Sequence, residues 1–115
     1  MDELSPAGQN LVFDVSGDRV TELVVDPVDF GIERCPPDEL EGGDASANAD
    51  AIRRVLGGEE GGRRDAILLN GAAALVAAGL AADLREGLAL ARDAVDSGAA
   101  AEWLERTAAF SRGDG

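Results

Sequence analysis

Residues 65–79 read DAILLNGAAALVAAG, and beyond Asp65 this run is apolar on every side apart from Asn70. A helix that presents apolar atoms all round has no face suited to water, so the run predicts a helix buried on every side. Its neighbours repeat the helical texture. Glycines at 57, 79 and 98 stand where left-handed residues close helices. Helices are therefore expected at 45–56, 65–78 and 84–97, with a fourth at 99–111. Asp83 and Glu86 have the spacing of a capping box for the third. The apolar stripe of that helix is Leu84, Leu88, Ala91 and Val95, while Arg85, Arg92 and Asp96 point to water. Trp103 and Phe110 share the last helix as core or docking residues.

The first part of the chain has a period of two. Leu11, Phe13 and Val15 alternate with Val12 and Asp14, Ser16-Gly17-Asp18 supplies a turn, and Val20 to Val25 resume the strand pattern. A β-hairpin follows. Asp26-Pro27 stops its second strand, because proline lacks an amide hydrogen and restricts the residue before it. Residues 26–43 then read as a connector anchored by Phe30 and Ile32. The chain is thus expected to be one α/β unit: an acidic motif and hairpin over 1–25, a connector over 26–43, and a helical part over 44–112.

Charge narrows the partners. The 115 residues hold 23 Asp and Glu against ten basic residues, all Arg, for a net charge of −13. DNA and RNA are held by cationic side chains that displace counterions, so no nucleic-acid partner is expected, and no anionic membrane surface. Such acidity without lysine fits a high-salt cytoplasm, where salt screens the self-repulsion, or a GC-rich genome. Cys35 is the one cysteine and there is no histidine, so neither an internal disulfide nor a Cys/His zinc site can form. The first residues are acidic and no apolar run approaches about 18 residues, which points to a cytoplasmic protein.

Two glycine-rich stretches invite a phosphate-binding reading. Gly42-Gly43-Asp44 follows a proline-rich connector rather than a strand, and is read as the entry to a helix capped by Asp44 or Ser46. GGEEGG at 57–62 sets two glutamates where an anion would lie, so it is read as a helix connector. Asn70 is read as an amide bonded to backbone rather than to substrate. Asp2-Glu3, taken alone, is a solvated acidic pair or part of a metal site.

Taken in order, DELSP at 2–6, the hairpin, DPVDFG at 26–31, the run from Gly42 to Gly79 and LREGLALARDAVDSGAA at 84–100 resemble the C-terminal third of anthranilate phosphoribosyltransferases. The most specific elements are Gly42-Gly43-Asp44-Ala45 with Asn48, Arg64-Asp65 leading into Leu68-Leu69-Asn70, and Asp96-Ser97-Gly98. The resemblance implies the C-terminal part of the catalytic domain shared by nucleoside phosphorylases and phosphoribosyltransferases. It also implies magnesium-dependent transfer of the 5-phosphoribosyl group from phosphoribosyl pyrophosphate to anthranilate, a step of tryptophan biosynthesis. The family's magnesium-binding Asp-Glu pair falls on Asp2 and Glu3.

The family's helical domain, its Gly-Thr-Gly-Gly-Asp phosphate loop and its anthranilate-holding segment have no counterpart in these residues. The chain is accordingly expected to be a fragment, inactive by itself. Its expected associations are a homodimer or docking onto a separately encoded N-terminal half. Two alternatives stand beside this: a pyrimidine nucleoside phosphorylase-like glycosyl transfer, and a non-catalytic helical module that docks onto that half.

Overall fold

A computed structural model describes residues 1–114. Its order is a hairpin, β1 (Asn10–Ser16) and β2 (Arg19–Val25), a connector with short 3-10 turns at Pro27–Phe30 and Pro37–Leu40, and then four helices. These are α1 (Ala45–Leu56), α2 (Gly62–Ala77), α3 (Leu84–Asp96) and α4 (Ala99–Ser111). The strands are antiparallel, with Leu11 opposite Val24, Phe13 opposite Glu22 and Val15 opposite Val20. Gly17 closes the hairpin at φ 59°, the positive value that a tight two-residue turn asks of its first central residue.

The core joins the connector to α2 and α3, with α1 and α4 at its edge. Ile32, Leu68, Leu69, Ala72, Leu88, Ala91 and Val95 are buried together, and Leu4, Phe30, Leu56, Leu84 and Ala100 pack against them. Ile32 is thus the connector's anchor. A second fastening is Arg85, whose guanidinium lies 5.0 Å from the Phe30 ring centre and donates to the Asp29 carbonyl at 2.8 Å.

Local caps start the helices where the side-chain chemistry requires. Asp44 accepts from the Ala47 amide at 2.8 Å, and Asp83 accepts from the Glu86 amide at 2.9 Å. Glu86 reaches back one residue beyond the usual capping box, to the Ala82 amide at 3.4 Å. Gly79 and Gly98 take the expected left-handed conformation, at φ 76° and 85°. After α1, however, Gly57 stays right-handed at φ −83° and Gly58 makes the turn at 112°, since a second glycine lets the helix run one residue further.

Two expectations about α2 are corrected. It begins at Gly62 rather than 65, because the Gly62 amide donates to Glu39 Oε2 at 3.1 Å and brings Arg63 and Arg64 into the first turn. Nor is it buried all round. Leu69 and Ala72 are fully covered, yet Ile67 keeps 37% of its surface exposed and Ala74 and Ala77 are exposed. One tightly packed helix, α3, covers one face, and the small hairpin cannot enclose the rest.

The connector's entry is held electrostatically. Asp26 accepts from the Val28 amide at 3.1 Å and from Arg34 Nη2 at 2.8 Å. The Arg34 hydrogen bond holds the Asp26 carboxyl below its ordinary value of 3.8. A folded-state pKa that is lowered contributes stability above the ordinary value and loses it as pH falls through the lowered one. Asp26→Asn is therefore expected to lower the Tm at pH 7, the gap to the native chain closing as the solution is acidified below 3.8; thermal melts across that range check it.

Candidate metal centre at the amino-terminal acidic pair

Asp2 and Glu3 are both exposed, and the chain behind them is held. Leu4 is half-buried against the core and Pro6 is fully buried. Both polar backbone groups of Leu4 are bonded to Asn70 of α2: its amide donates to Asn70 Oδ1 at 3.0 Å, and its carbonyl accepts from Asn70 Nδ2 at 2.9 Å. Asn70 Nδ2 also donates to the Ala66 carbonyl at 2.8 Å, within its own helix. Ser5 is held in the same way by Asn10 of β1, at 2.8 Å from its amide and 3.0 Å to its carbonyl. The reading of Asn70 as a backbone-bonded amide gives the kind of contact, and the structure supplies the partner 66 residues away.

Glu3 borders a shallow groove shared with Ser5, Gln9, Leu40 and Glu41. Among the described residues, no three Asp, Glu, Cys or His side chains converge as a metal cluster. Two neighbouring carboxylates open to solvent nevertheless suit magnesium. That ion takes hard oxygen ligands in an octahedron and is commonly held by one or two carboxylates, with phosphate and water filling the other positions. Calcium or structural zinc would need a fuller set of side chains.

The glycine stretches are already occupied by the protein's own groups. The Gly43 amide donates to Asn48 Oδ1 at 2.8 Å and its carbonyl accepts from Asn48 Nδ2 at 3.1 Å, so this turn is closed by a side chain. The Gly62 amide at the start of α2 faces the Glu39 carboxylate. Arg64 and Asp96, distant in sequence, form an ion pair at 2.9 Å in which the arginine is mostly covered. Beside it, burial pushes the Asp65 carboxyl up, against the pull of Arg92 and Arg64. Burial also raises the Cys35 thiol, with Glu39 and Asp65 adding to the effect, which disfavours a reactive thiolate. Trp103 and Phe110 are not core residues: they are 64% and 78% exposed on α4.

The family model "Glycosyl transferase family, a/b domain" matches residues 1–101. The chain belongs to this family. Within the glycosyl transferase a/b family, it is 48% identical over 116 aligned residues to the anthranilate phosphoribosyltransferase of Chloroflexus aurantiacus, covering 99% of this chain and 34% of that protein. The enzyme of the same name from Desulforamulus reducens is 42% identical over 112 residues, covering 97% of this chain and 32% of that protein. A crystal structure of anthranilate phosphoribosyltransferase from Thermus thermophilus superposes with a TM-score of 0.86 at 41% identity, covering 97% of this chain and 33% of that one. The chain therefore spans about a third of the length of these relatives, and the hairpin-and-four-helix arrangement expected from the sequence is the one that the solved relative shares. No helix among the described residues is long and apolar enough to cross a membrane.

Proposed function

We propose that these residues form the metal-binding third of an enzyme that transfers a 5-phosphoribosyl group from phosphoribosyl pyrophosphate to the amino nitrogen of anthranilate. The observation that carries this is the alignment along nearly the whole chain with enzymes of that name, at 41–48% identity in the examples above. Asp2 and Glu3 would hold magnesium, whose chemistry is Lewis-acid stabilisation of the negative charge on a departing pyrophosphate. The carboxylates supply oxygen ligands at an open edge of the fold. The hairpin and helices hold that edge in place. A cytoplasmic site of action accompanies this reading, as for other biosynthetic enzymes working on soluble phosphorylated substrates.

The remaining two-thirds of the catalytic unit would lie against the hairpin. Leu11, Phe13, Val15, Val20 and Val24 are 56–67% exposed, and the register puts them on one side of the two strands. An apolar face of this kind marks an interaction surface. A net charge of −13 opposes pairing of two identical copies at low salt, so we assign the face to the rest of the enzyme rather than to a homodimer.

Transfer between two substrates depends on positioning both, and that advantage disappears when the groups holding one of them are missing. The purified 115-residue chain is expected to show no turnover of phosphoribosyl pyrophosphate with anthranilate. Magnesium-dependent turnover is expected once it is joined to, or co-expressed with, the phosphate-loop portion of the Chloroflexus aurantiacus relative. Turnover by the chain alone, or an assembled protein with none, would overturn the reading.

A further inference from the structure

We propose that Asn70 and Asn10 are positioning residues for the acidic pair: two side-chain amides that grip the backbone of Leu4 and Ser5 and so fix where the Asp2 and Glu3 carboxylates emerge. The inference rests on the metal role proposed above for that pair.

The geometry is that of a strand partner made from side chains. A primary amide presents one acceptor and two donors, so it can satisfy both the N–H and the C=O of one residue. Asn70 does this for Leu4 at 3.0 and 2.9 Å, and Asn10 does it for Ser5 at 2.8 and 3.0 Å. Asn10 Nδ2 also reaches the Val25 carbonyl at 3.3 Å, at the end of β2. The two grips come from different elements, α2 and β1, and meet on consecutive residues. With Pro6 buried just beyond, the stem of the acidic pair is held from a helix, from a strand and by the core.

Burial alone accounts less well for this pattern. Asparagine is a poor helix former, because its amide competes for backbone groups, and it stands here in the middle of α2. The segment it holds leads directly into two exposed carboxylates rather than into more core. Partners that orient metal ligands from behind are a general feature of metal sites, and losing one costs about 10- to 100-fold in metal affinity.

The test uses the 15N-labelled chain, titrated with manganese(II) and inorganic pyrophosphate. Manganese prefers the same hard octahedral oxygen ligands as magnesium and broadens nearby amide signals. Broadening at Asp2, Glu3 and Leu4, measured against that at the remote acid Asp14, gives a site-resolved affinity. Asn70→Ala is expected to weaken it about 10- to 100-fold. Asn70→Asp keeps an acceptor for the Leu4 amide but loses the donor to its carbonyl, so it should fall between, and it serves if the alanine variant does not fold. Gly98→Ala, which strains the left-handed turn into α4 at φ 85° and lies on neither element of the grip, should leave the affinity unchanged. Native affinity in both Asn70 variants, or an equal loss in Gly98→Ala, overturns the positioning role. Unaltered broadening in Asp2→Asn/Glu3→Gln, or none in the native chain, instead overturns the metal assignment on which it rests.

Discussion

In the assembled enzyme proposed above, exchanging Asp2 for Asn together with Glu3 for Gln is expected to lower kcat/KM for phosphoribosyl transfer by about 10³-fold. The substitutions keep the size and polarity of both side chains and remove only their negative charge, so the loss reports on charge rather than packing. Both residues are exposed and neither side chain makes a hydrogen bond or ion pair among the described residues, so the Tm should stay where it is. The size of the effect follows from the reaction proposed. A departing pyrophosphate gathers charge in the transition state, and a preorganised group that meets such charge is worth about 10²–10³ in rate even when it is a single hydrogen-bond donor. A divalent ion held by Asp2 and Glu3 would contribute at least that much. The magnesium concentration giving half-maximal rate should rise in step, since the ion would lose the side chains proposed to retain it. Native kcat/KM and native magnesium dependence in the double variant would remove Asp2 and Glu3 from the site, whatever the relatives are called.

Gly87→Ala should unfold the chain at a temperature lower by about 10 °C, the largest stability effect expected of a single methyl group here. Helix propensity argues the other way, because alanine is better than glycine inside a helix by about 0.5–1 kcal/mol. Space decides the sign. A Cβ on Gly87 would sit 2.7 Å from the Ala72 carbonyl oxygen, 3.0 Å from its Cα and 3.1 Å from its Cβ. Those atoms belong to the backbone of α2 or adjoin it, so no rotamer can relieve the contact and the two helices must separate. Separation opens the layer formed by Leu68, Leu69, Leu88 and Ala91. Overpacking of this kind costs about 1–3 kcal/mol before the lost contacts are counted, and the whole chain is expected to have only about 5–15 kcal/mol to lose.

Gly71→Ala is the internal comparison. Its new Cβ would meet only Ala91 Cβ at 3.7 Å, an ordinary contact, so propensity prevails and the Tm should rise. Thermal melts followed by circular dichroism read both; a Gly87→Ala protein as stable as the native chain would show that the α2–α3 crossing is looser than described.

These cases show where the sequence suffices. The cap at Asp83 was legible, and that at Asp44 was one of two readings, because each bond spans three residues and the local order of side chains narrows both donor and acceptor. The hairpin register follows from the period-two pattern and the turn at Gly17 in the same way. Along α2, composition alone misled. Ala and Leu on every side imply burial on every side only if enough protein lies around the helix, and these 114 described residues supply one close helical neighbour and a small hairpin. Trp103 and Phe110 repeat the lesson on α4, where a helical spacing of seven puts both on one face that nothing here covers.

By itself the sequence determined the element order, most of the caps and turns, the acidic surface and, through the order of its motifs, the family. Each of these depends on neighbours along the chain or on composition, where the chemistry acts over a few bonds. Only the tertiary structure decided that Asn70 grips Leu4, that Arg64 pairs with Asp96, that Gly87 must lack a side chain and that the hairpin's apolar face stays uncovered. Those outcomes depend on how close two distant segments come and on how much surface remains to be covered, and neither quantity has a local signature in the order of residues.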